Sequence, residues 1–147
     1  MRISSLLLVV FLSFSCTSSN DIPEYCAAVD YFTTSLYIKI TDQDGTNLIE
    51  NETYISNYIN LEFRDLTIKN AVDPNKNLIS FLIFGEEGNN TLKINLAETD
   101  SDILILNLST STNECNHTFY TLNKVTYQDI SLSIEKLNNN YYITIVK

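Results

Sequence analysis

An all-β fold, an antiparallel β-sandwich of about eight to ten strands, is what this sequence predicts, and three observations carry the expectation. Apolar and polar residues alternate with a period of two along most of the chain, as where Leu36, Ile38 and Ile40 interleave with Tyr37 and Lys39. Turn-forming clusters recur at roughly 8 to 14 residue intervals, a spacing that suits short strands. No stretch beyond the first 15 residues carries an apolar stripe of helical period, so nothing is available to cover a parallel sheet. Two antiparallel sheets packed face to face satisfy all three, whereas an up-and-down barrel would space its strands more evenly.

The first strand is expected over residues 35–41 and ends at Asp42, Gln43, Asp44 and Gly45, a turn closing on Asp-Gly. Residues 58–63, 66–69, 77–84 and 91–96 repeat the alternation. Gly85 and the cluster of Gly88, Asn89 and Asn90 mark the turn between the last two, and Pro74 falls in a loop. Residues 102–108 set Ile103 and Ile105 opposite Leu104, Leu106 and Leu108, which predicts a central strand buried on both faces. Residues 117–122, 124–128, 131–137 and 141–146 complete the set, with Asn138, Asn139 and Asn140 turning the last pair. Gly and Pro number only three and two, so the turns depend on Asn and Asp, which tolerate positive φ better than other non-Gly residues.

Ahead of this domain, Met1 and Arg2 lead into an apolar run over residues 6–14 that stops at Ser15, Cys16 and Thr17. A positive start, an apolar core too short to span a bilayer and a small residue before a cysteine describe a lipoprotein signal over residues 1–15. Cys16 is the expected lipid attachment, and acyl chains at roughly 0.8 kcal/mol per buried methylene anchor a protein without a transmembrane helix. Ser13 and Phe14 depart from the aliphatic and small residues usual ahead of such a cysteine, so an ordinary signal peptide and a secreted product are the alternative. Residues 16–25, with Thr17, Ser18, Ser19, Asn20 and Asp21, read as a polar tether. Thr17, where an Asp would signal inner-membrane retention in enteric bacteria, favours the outer membrane. Residues 26–147 suffice for one domain.

With Cys16 committed to lipid, Cys26 and Cys115 remain as an even pair, and one disulfide is the natural inference for an exported protein. It would close a loop of about 90 residues, which loop entropy values at roughly 4 to 5 kcal/mol. A single His and the absence of a C-x-x-C pair argue against zinc. Removing the leader takes one of nine basic residues and moves the formal net charge from −9 to −10. Lys39, Arg64, Lys69, Lys76, Lys93, Lys124, Lys136 and Lys147 are scattered singly, so no phosphate-neutralising groove forms and nucleic acid is excluded as a partner.

No catalytic residue, metal site or cofactor is assigned. The sequence lacks a Gly-x-Ser-x-Gly elbow, a His-Glu-x-x-His pair and a P-loop. His117 would have to serve as the base of any triad, yet it lies two residues from Cys115, where a structural role is expected. Asp42 and Asp44 alternate as calcium ligands do, but Asn47 and Glu50 fall out of register for a calcium loop. Glu98, Asp100 and Asp102 would share one face of an extended segment and could gather a hard cation there. Nine Tyr and seven Phe are the remaining handle. Tyr141 and Tyr142 must point to opposite faces of a strand, and a Tyr-rich sheet surface could stack on sugars or meet a protein, although no Trp is present.

The lipid cysteine, the polar tether, the strand ending at Asp42, Asp44 and Gly45 with Leu48 beyond, residues 100–108, Cys115 and the terminal stretch 143–147 together resemble small lipoproteins of the Bacteroidota. The Ser-Ser-Asn-Asp run resembles the export tags of their surface lipoproteins. The opening strand, Asp-x-x-Gly turn and following Leu are similar to transthyretin-like and carboxypeptidase-regulatory-like domains. The resemblance implies an immunoglobulin-like or transthyretin-like sandwich on the cell envelope, and it implies no particular activity. The expected function is a lipid-anchored, non-catalytic protein-interaction or structural module of the outer membrane, facing an envelope protein. The alternative is a carbohydrate-binding accessory lipoprotein of a glycan-uptake system.

Overall fold

The computed structural model describes Cys26 and residues 33–147. Among these residues eleven strands form two sheets: β1 (Ser35–Thr41), β2 (Asn60–Phe63), β3 (Leu66–Lys69), β4 (Val72–Asp73), β5 (Leu78–Leu82), β6 (Gly88–Ala97), β7 (Asp100–Thr112), β8 (Thr118–Tyr127), β9 (Ile130–Ser131), β10 (Glu135–Leu137) and β11 (Asn140–Val146). One sheet runs β10-β11-β1-β5-β4 and the other β3-β2-β6-β7-β8-β9. The all-β sandwich expected from the alternation is what the chain adopts.

The alternation works as the pleat requires. Leu36, Ile38 and Ile40 of β1 face Leu92, Ile94 and Leu96 of β6 and Leu104, Leu106 and Leu108 of β7 across one continuous core. Phe63, Phe81 and Phe84 fill the end of that core where β1 begins, with ring centroids 4.9 to 5.6 Å apart. All four edge strands are short, two to four residues, and each covers only part of the longer strand beside it, as β9 does with Thr126 and Tyr127 of β8.

Asn and Asp do carry many of the turns. Asn138 and Asn139 both take positive φ and close the β10–β11 hairpin as a two-residue primed turn, and Gln128 and Asp129 close β8–β9 the same way. Two buried asparagines pin loops. Asn90 accepts from the Glu86 N–H and donates to the Glu86 and Gly88 carbonyls, while Asn47 donates to the Asn77 carbonyl and accepts from the Ile49 N–H. A Cβ at Gly85 would lie 2.6 Å from Asn90 Oδ1, which explains the glycine there.

Five local expectations are corrected. The sandwich is not wholly antiparallel, because β11 lies alongside β1 in parallel, with Leu36 opposite Tyr141 and Thr41 opposite Val146. The long chain between them supplies the crossover that a parallel pair needs. The segments 117–122 and 124–128 form one strand, β8, whose register slips between Asn107 and Leu108 of β7 and passes over Asn123. This bulge lets Leu122 and Val125, three apart, both face inward. Residues 131–137 are no single strand, since the chain leaves the six-stranded sheet at β9 and enters the other at β10. Gly88, Asn89 and Asn90 belong to β6, and the turn precedes them. Finally, β7 is central but buried on one face only, with Ile103 54% exposed, because a two-layer sandwich has nothing to cover its outer faces.

Candidate functional site

Ionisable and phenolic side chains from four distant segments meet at the end of the sandwich where β1 and β11 finish. Lys147 follows β11, and its backbone N–H donates to the Thr41 carbonyl at 2.8 Å. Its ammonium donates to Asp100 Oδ1 at 3.1 Å and Asp102 Oδ1 at 2.8 Å, on β7 of the opposite sheet. The Tyr54 hydroxyl donates to Asp100 Oδ2, and the Tyr127 hydroxyl donates to Asp102 Oδ1 at 2.9 Å while accepting from Gln128 Nε2 at 3.0 Å. Asp102 occupies the inward register of β7 and is only 5% exposed, so its carboxylate sits between the layers. Its Oδ2 is buried with no hydrogen-bond partner among the described residues, which leaves Lys147 as the neighbouring counter-charge.

The ionisation of this set suits a lock between the sheets. Burial alone would lower the Lys147 ammonium, but its bonds to Asp102 and Asp100 outweigh that and hold it well above the usual lysine range. Burial, with the bond to Asp100, pushes the Tyr54 phenol up to about 12, and burial with the bond to Asp102 raises Tyr127. The Tyr54 bond, helped by Lys147, lowers the Asp100 carboxyl against the opposing effect of burial. Acid–base catalysis asks for a group poised near neutrality, and these shifts all move away from it. What the arrangement does is join the two sheets through charge-assisted bonds.

The outer faces are chemically different from one another. On the five-stranded sheet, Tyr37 of β1 and Tyr142 of β11 stack at 5.0 Å with an interplanar angle of 19°, and the Lys76 ammonium lies 3.7 Å from the centroid of Tyr37. Tyr37 therefore has both a cation and a second ring packed against it. On the six-stranded sheet, Asn60 and Glu62 of β2 stand opposite Asn95 and Lys93 of β6. Asn95 Nδ2 donates to Asn60 Oδ1 at 2.8 Å and to Glu62 Oε1 at 2.7 Å, and Lys93 donates to both Glu62 oxygens at 3.2 and 3.3 Å. Tyr58 rises beside this row, 71% exposed, at the rim of an open concavity of about 700 Å³ that also takes in Ala97 and Glu98. Asn60 Nδ2 donates to the Tyr58 carbonyl at 3.2 Å and fixes the backbone that carries the ring.

Of the residues singled out in the sequence, Cys26 and Cys115 form the disulfide, with Cα atoms 5.5 Å apart. Cys16 lies outside the described residues. Asp42 Oδ1 accepts from the Asp44 and Thr46 N–H groups, which makes this an ordinary side-chain-closed turn. Among the described residues no group of three His, Cys, Asp or Glu is placed to hold a metal. Asp100 and Asp102 do gather a cation, and it is the chain's own Lys147. Glu98 lies in the β6–β7 turn itself, off the β7 strand that carries Asp100 and Asp102, and lines the Tyr58 concavity. His117 sits in the β7–β8 turn, where Asn113 Oδ1 accepts from the N–H groups of both His117 and Cys115. Tyr141 faces the core and Tyr142 the outer surface, opposite ways as expected.

Lys147, Tyr54 and Tyr58 were not anticipated. Tyr58, expected as the first residue of the strand over residues 58–63, instead ends a short 3-10 turn (Ser56–Tyr58) ahead of β2. No protein-family model, curated protein or solved structure matches this chain.

Proposed function

We propose that this chain is a lipid-anchored protein of the cell envelope, held at the outer membrane through Cys16, whose sandwich acts as a non-catalytic binding module toward an envelope component. The observation that carries this reading is the direction of the ionisable cluster. Its lysine, aspartates and tyrosines are turned inward and spent on joining the sheets, while the surfaces open to solvent are sheet faces bearing hydrogen-bonding side chains and aromatic rings. A rigid face of this kind suits recognition, because its groups are ordered before any partner arrives. The disulfide supports an oxidising compartment.

Membrane partition tests the anchor. Full-length wild type should sediment with membranes and enter the detergent phase, and Cys16→Ala should appear in the soluble fraction. Retention of Cys16→Ala on membranes would overturn the reading.

A further inference from the structure

We propose that the Tyr58 concavity on the six-stranded sheet binds a neutral oligosaccharide. The inference rests on the binding-module reading above and gives that module a ligand class and a site.

Sugar rings are recognised by two complementary devices, an aromatic face for the C–H side of the ring and planar amide or carboxylate groups for its hydroxyls. Both stand together here. Tyr58 carries an exposed ring at the rim, and among the described residues no ring or cation stacks on it, in contrast to Tyr37. Next to it, Asn60, Asn95, Glu62 and Lys93 form a continuous hydrogen-bonded row across β2 and β6. These mutual bonds hold each side chain in one orientation, which lowers the ordering cost of binding, and they leave Asn95 Oδ1 and the Tyr58 hydroxyl open to a ligand.

The dimensions and charge narrow the class. An open concavity of about 700 Å³ falls within the range of small-ligand sites and has room for several sugar rings. Glu62 neutralises Lys93, Glu98 lies at the edge, and the whole chain carries a formal charge of −9, so a sulfated or phosphorylated polymer would be repelled. The row of Asn60, Glu62, Lys93 and Asn95 is polar throughout and offers the paired amide and carboxylate groups that suit sugar hydroxyls.

The test is titration of the full mature chain in detergent, by isothermal calorimetry and amide chemical shifts, with hexasaccharides of β-1,4-glucose, β-1,4-xylose, α-mannose and β-1,4-N-acetylglucosamine, and with heparin as the anionic probe. At least one neutral hexasaccharide should saturate with a Kd of about 1 mM or tighter. Tyr58→Ala should weaken it about tenfold, Tyr58→Phe should retain it because the ring remains, and Tyr142→Ala should leave it unchanged. Absence of saturable binding to all four, preference for heparin, or equal affinity in Tyr58→Ala would each overturn the inference. Appearance of shortened oligosaccharides in the mixture would instead overturn the non-catalytic reading on which it rests.

Discussion

The two ends of the sandwich are closed by opposite chemistry. Where β1 begins, the closure is covalent and apolar, with Cys26 bonded to Cys115 in the β7–β8 turn and three phenylalanines packed between the sheets. Where β1 ends, it is ionic, with Lys147 reaching across to Asp100 and Asp102. The first closure is indifferent to pH and sensitive to reductant, and the second is the reverse. A domain tied in both ways keeps its layers together across a wider range of external conditions than either tie would give.

Breaking the covalent end should have the larger effect. Cys26→Ser, or reduction followed by alkylation, frees a loop spanning 89 positions and should cost up to about 4 to 5 kcal/mol in urea unfolding. A midpoint unchanged by reductant would show that the bond contributes nothing. At the ionic end, Lys147→Met leaves the buried Asp102 carboxylate without its counter-charge and should cost about 3 kcal/mol, with the disulfide intact.

The ionic end should also be visible in pH scans. Lys147 is raised in the folded state, so its contribution is complete below about pH 10.5, the ordinary lysine value, and fades as pH rises through the folded one. Tyr54, raised from 10.0 to about 12, acts in the same direction. Asp100 is lowered, so its contribution is present above 3.8 and fades as pH falls through its folded value. Wild type should therefore hold a plateau between about pH 4 and pH 10 and lose stability outside it, while Lys147→Met should show weaker dependence on the alkaline side. Parallel profiles for the two proteins would show that the contacts carry no linkage. The smallest effect belongs to a turn that takes part in neither tie. Asn139→Ala, at φ 64, should cost about 1 kcal/mol, and Asn139→Gly should cost nothing.

How much of this was legible in the sequence depended on how far the deciding contact lay along the chain. Strands β1, β2, β3 and β11 are plain from alternation, because the pleat imposes its period on neighbouring residues. Neither Ile103 nor Asn123 could be placed that way. The exposure of Ile103 depends on the number of layers, and the bulge at Asn123 depends on the partner strand, so neither is a property of its own segment. The disulfide was legible by counting cysteines. The ionic tie was half legible: Asp100 and Asp102 stood out as a pair competent to hold a cation, whereas Lys147, 45 positions beyond Asp102, looked like one scattered base among others. The parallel pairing of β1 with β11 left no mark in either strand, since both read as ordinary alternating segments.

That pairing has a consequence for the order of assembly. Strands β6, β7 and β8 form a meander of adjacent antiparallel neighbours, and each pair can zip as soon as its turn is made. The central position in the other sheet waits. One flank of β1 is hydrogen-bonded to residues 141–146, about a hundred positions away, so a chain emerging from its N-terminal side presents Leu36, Ile38 and Ile40 beside an unfilled berth until the final strand arrives. The six-stranded layer can therefore draw its central meander from near neighbours in the chain, whereas the five-stranded layer is complete only once β11 pairs with β1 and brings Lys147 to Asp100 and Asp102.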